Sequence, residues 1–104
     1  MKETDYLEDM YRDGYFPNFL VDKIKGYLKE VVSVLESGET NINVIQEHFD
    51  RATLAINELE AEFEEHDSEL ETGARESIGA TVIKILQTYN IDLDVEDAIR
   101  EREW

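Results

Sequence analysis

Residues 45–63 read IQEHFDRATLAINELEAEF, with Ile45, Phe49, Ala52, Ile56, Leu59 and Phe63 separated by alternating steps of four and three. Steps of that size return to one face of an α-helix at each turn, whereas one face of a strand repeats every second residue. The stretch therefore predicts an amphipathic helix with a narrow apolar seam, entered through Asn41 or Asn43 as cap.

The same period extends to both sides. After Pro17, a residue suited to a first helical turn, Leu20, Ile24, Leu28, Val31 and Leu35 define a helix that Ser37-Gly38 stops. A third helix starts from a cap at Ser68 or Thr72. It runs through Ala74, Ile78, Val82, Ile85 and Tyr89 to Asn90, which suits a left-handed closing conformation. Asp94 caps a short helix over Val95 to Arg100, and residues 5–17 form a short aromatic segment broken at Gly14. No stretch alternates with period two for long enough to require a sheet. The expectation is an all-α single domain over residues 1–104: an up-down bundle of three long helices with short N- and C-terminal helical segments.

Charge narrows the partners. The chain has 26 acidic and 10 basic residues, a net charge of −16, and residues 38–71 hold eleven acids against Arg51 alone. Such a surface repels nucleic acid and anionic membrane and attracts cations or a basic protein partner. Eight of the acids fall within 58–71, and Glu47, Glu58, Glu62 and Glu65 project opposite the Ile45–Phe63 seam as an outward ridge. A solvated face that keeps a small protein dispersed has the same composition. The charge also opposes self-association, favouring a monomer over a homodimer. No cysteine is present, and no apolar run approaches the ~20 residues of a membrane span, which suits a cytoplasmic protein.

Chemistry-bearing motifs are scarce. Asp92-x-Asp94-x-Glu96 lacks the glycine and distal ligand of a calcium loop. Ile45 and Phe63 stand where a Glu-x-x-His pair would place glutamate before His48 and His66, and a helix holding both histidines separates them by about 27 Å. No nucleophile motif or glycine-rich phosphate loop occurs. No metal, cofactor or catalytic residue is expected.

Five of the ten aromatic residues, Tyr6, Tyr11, Tyr15, Phe16 and Phe19, fall in the first nineteen positions. They suit either a plug that closes the bundle, with Phe16 and Phe19 inside and tyrosine hydroxyls at the rim, or a partner-binding patch. Met10, Tyr11, Asp13, Tyr15, Phe16 and Pro17 form a Met-Tyr-x-Asp-x-Tyr-Phe-Pro stretch. Here the chain resembles a family of small bacterial proteins of unknown function, with similarity resuming at Ile56-Asn57-Glu58-Leu59, Ser68-Glu69-Leu70-Glu71-Thr72 and Arg102-Glu103-Trp104. The resemblance implies a compact intracellular protein and brings no activity with it. Asp50-Arg51-Ala52-Thr53 departs from the family pattern of a histidine ahead of the threonine, which counts against a histidine-centred role.

Two functions remain. The first is a non-enzymatic acidic helical protein that binds a basic partner through Glu47, Glu58, Glu62 and Glu65. The alternative is a small-molecule binding protein or enzyme with a pocket under the aromatic segment, using Tyr11, Asp13, Tyr15, Phe16 and Arg75.

Overall fold

A computed structural model describes all residues 1–104. It is an all-helical bundle in which α2 (Asn18–Glu36), α3 (Ile42–Glu58) and α5 (Thr72–Thr88) are the long members. The short helices are α1 (Glu8–Arg12), α4 (Glu60–Glu65) and α6 (Val95–Ala98), preceded by a 3-10 turn at Glu3–Asp5. No helix is long and apolar enough to cross a membrane.

The seams read from the sequence are the buried faces. Leu20, Ile24, Leu28, Val31 and Leu35 of α2 meet Ile45, Phe49, Ala52 and Ile56 of α3, and all are buried. The third helix follows at right register, with Ala74, Ile78, Val82 and Ile85 fully enclosed. Direction is fixed at both ends of the molecule. Lys23 near the start of α2 pairs with Glu62 in α4, so α2 and α3 are antiparallel. Tyr89 after α5 donates to Glu36 at the end of α2, so α5 returns parallel to α2.

The expected single helix over Ile45–Phe63 is interrupted at Leu59, whose N–H reaches Ile56 O rather than the carbonyl four residues back. This tight turn does not disturb the seam, since Leu59 and Phe63 both remain buried. Asn41 is the cap of α3 and accepts from Asn43 N–H at 2.9 Å. At α5 the expected cap is displaced: Glu71 precedes the helix without a side-chain bond, and Thr72 is already helical. The C-terminal helix is also shorter than its pattern, ending at Ala98.

The terminal segments fill the space around α5. α1 packs against α5 and α2, and α6 packs against α5 and α3. The N-terminal segment is fixed by a buried polar bond: Leu7 N–H donates to Thr81 Oγ1 at 3.0 Å, and that hydroxyl donates to Ser77 O. Leu7 holds a left-handed backbone, φ 53°, uncommon for a branched residue. On the other side Asn57 donates to Glu101 O and accepts from Glu103 N–H, while Arg100 forks onto Asp50. Polar residues on the outer side of α3 thus hold the C-terminal segment.

Candidate functional site

The acidic surface starts from α3 and continues through α4 into the following loop. Glu47, Glu58 and Glu65 are exposed, whereas Glu62 is half-buried and accepts from Lys23 Nζ at 2.8 Å. α4 ends with Asp67 in the left-handed region, φ 57°, where Asp67 N–H bonds Glu64 O and Ser68 N–H bonds Phe63 O. This paired cap turns the chain and spreads Asp67, Glu69 and Glu71 beyond the helix end, all exposed.

Six of the chain's ten basic residues form ion pairs elsewhere, and Arg51, on α3 itself, is in none. Arg12 pairs with Glu8, Lys25 and Lys29 with Glu3, Lys84 with Asp5, Arg100 with Asp50, and Arg102 with Glu96. Lys23–Glu62 is the only ion pair that reaches residues 58–71. Glu3 shows the contrast: hydrogen bonds from Lys25 and Lys29 lower its pKa from 4.5 to about 2.

In the aromatic segment the structure separates residues that share one stretch of sequence. Phe16 is buried edge-on to Phe63, at 6.4 Å between ring centroids. Tyr11 sits at the rim and donates to Asp22 Oδ1 at 2.5 Å, and burial, reinforced by this bond, pushes its hydroxyl pKa up. Asp13 accepts from Tyr15 N–H and holds the turn, leaving Tyr15 44% exposed. Phe19, expected inside, is instead 48% exposed and lies edge-on to His66 at 5.0 Å. The cause is its register: it stands one residue, or 100° of helix, from the buried position Leu20. Arg75 turns to the C-terminal segment and donates from Nε to Trp104 O at 2.7 Å. None of Tyr11, Asp13, Tyr15 and Phe16 lines the clefts of about 240 to 480 Å3 found elsewhere on the surface.

The largest of these, about 480 Å3, lies at the other end of the bundle, where α2 and α5 finish and α3 begins. Two paired caps build it. Gly38, φ 97°, donates to Leu35 O while Glu39 N–H reaches Val34 O; Asn90, φ 54°, donates to Gln87 O while Ile91 N–H reaches Leu86 O. Leu35, Ile42, Ile45 and Ile91 supply apolar walls, and Glu39 and Asp92 supply carboxylates. Tyr89 also lines the cleft with its hydroxyl on Glu36, and burial together with that bond raises its pKa to about 12. The sequence carries both stop signals, but nothing local shows that the two caps share a cleft.

A family model matches the whole of residues 1–104. The chain belongs to a family of unknown function (DUF5713). No curated protein and no solved structure matches it. Membership in this family brings no ligand or reaction with it, so functional residues in this member rest on geometry. Its two histidines are separate: His66 caps α4 beside Phe19, while His48 lies with Arg51 along the α2–α3 groove.

Proposed function

We propose that this protein is a non-enzymatic interaction module whose acidic face, centred on Glu47, Glu58, Glu62 and Glu65, binds a basic protein surface. The observation that carries the proposal is charge left without a partner: of eight acids in residues 58–71, only Glu62 has an ion pair. Carboxylates clustered in this way create a negative potential that speeds encounter with a cationic partner and orients it. Tyr15 and Phe19 supply exposed aromatic area on the same end of the bundle, as Phe19 touches His66 at the close of α4. Aromatic side chains bordered by charge are the usual composition of a binding hot spot and its rim. With −16 on each chain, the module acts as a monomer.

The test compares the wild type with a variant carrying Glu47→Gln, Glu58→Gln, Glu62→Gln and Glu65→Gln as bait in a lysate. Proteins retained by the wild type at low salt, released at high salt and lost with the variant support the proposal. Retention that is indifferent to both salt and the four substitutions refutes it, since exposed charge is screened over about 8–10 Å near physiological ionic strength.

A further inference from the structure

We infer that the cleft at the opposite end of the bundle is a binding site for an organic ammonium ion, a primary amine carried on an apolar body. The inference uses none of the acidic-face residues: the cleft adjoins the start of α3, Glu58, Glu62 and Glu65 lie at and beyond its end, and Glu47, in the first turns of α3, does not line the cleft.

The charge of the ligand follows from what lines the cleft. Its ten lining residues include Glu39 and Asp92 and no Lys, Arg or His. Glu39 is held in place, since its Oε2 accepts from both Thr40 N–H at 3.1 Å and Asn41 N–H at 3.0 Å, which leaves Oε1 for a donor from outside. The helices add to the field. α2 and α5 both end at this cleft and α3 begins there, so two partially negative C-termini face one partially positive N-terminus. An anion would meet carboxylates and no compensating cation.

The shape of the ligand follows from the walls. Leu35 and Ile45 are buried, Ile42 is 40% exposed, and half of the lining residues are hydrophobic. A bare metal ion would gain nothing from these walls, and no group of three or more His, Asp or Glu converges to hold one. An alkyl or aryl body lying on Ile42 and the half-buried Ile91 would remove apolar surface from water. Tyr89, whose hydroxyl donates to Glu36, adds to the lining an aromatic side chain of the kind that attracts organic cations.

Titration of the 15N-labelled full chain with n-hexylammonium at 150 mM salt, followed by amide chemical shifts, tests the inference. Hexanoate and hexanol are the matched probes. Saturable shifts confined to residues 35–45 and 89–92 are expected, with hexanoate and hexanol weaker by about tenfold or more. Glu39→Gln and Asp92→Asn should each weaken hexylammonium by about tenfold, the loss of a hydrogen bond to a charged group. Glutamine retains the oxygen that holds the Thr40–Asn41 turn. Ile42→Gln, at an exposed position, removes the apolar wall without touching the charge and should weaken binding while leaving the melting temperature near that of the wild type.

A blocked lysine amide serves as the second arm. Tighter binding of the blocked lysine assigns the natural ammonium group to a protein side chain, and tighter binding of hexylammonium assigns it to a free amine. The inference is overturned if shifts spread over residues 58–71, if hexanol binds as well as the amine, or if Glu39→Gln and Asp92→Asn leave affinity unchanged.

Discussion

Replacing Thr81 by valine isolates the bond that fastens the N-terminal segment to α5. Threonine and valine have nearly the same shape, so the change removes a hydroxyl without opening a cavity. Thr81 is 3% exposed and Leu7 is 1% exposed, so the variant leaves the Leu7 N–H buried without its protein acceptor. An orphaned buried donor costs about 1–3 kcal/mol, and the left-handed backbone of Leu7 is retained because Tyr6 and Met10 on either side are also buried. A loss near the middle, about 2 kcal/mol, corresponds to a fall of roughly 8–16 °C in melting temperature for a domain of this size. The assay is thermal unfolding by circular dichroism combined with amide hydrogen exchange. Thr81→Val should melt early, with faster exchange at Leu7, while Thr81→Ser keeps the acceptor and retains protection there. If Thr81→Val melts within about 2 °C of the wild type and Leu7 exchanges as slowly as before, the buried bond does not hold the segment and its attachment is purely apolar.

Phe63 and Phe19 should behave in opposite ways despite their shared chemistry. Phe63 is completely buried, so Phe63→Ala should cost about 3–5 kcal/mol, while Phe19→Ala, at 48% exposure, should cost less than about 1 kcal/mol; equal urea midpoints for the two variants would contradict the packing. Glu3 predicts a pH dependence. Its folded pKa, about 2, lies below the ordinary 4.5, so its stabilisation is complete above 4.5 and is lost as pH falls towards 2. The stability difference between wild type and Glu3→Gln in urea titrations should close across that window; a gap that persists at pH 2 would exclude the Lys25 and Lys29 contacts as its source.

Sequence alone determined the helices and most of their ends. The four-and-three spacing of Ile45 to Phe63 and of Leu20 to Leu35 identifies faces that are buried, because the helical period is a property of the local backbone. Gly38 and Asn90 mark stops for an equally local reason: each takes a left-handed conformation that few other residues tolerate. The acidic excess of residues 38–71 is likewise plain in the composition. Tertiary structure decided which residues share a surface. Thr81 reads as a polar position on the third helix, yet it is buried, because a segment 74 residues earlier covers it and supplies Leu7 N–H as the donor to its hydroxyl. Phe16 and Phe19 are three residues apart in one aromatic stretch, but only Phe16 reaches Phe63. The 480 Å3 cleft depends on two helix caps far apart in the chain, brought together where Glu36 meets Tyr89 across 53 residues. Backbone sterics and side-chain periodicity act over a few residues and can be read along the chain. The pairing of faces depends on which combination of distant segments buries the most apolar surface while giving most enclosed polar groups a partner, and that is settled only when the bundle closes.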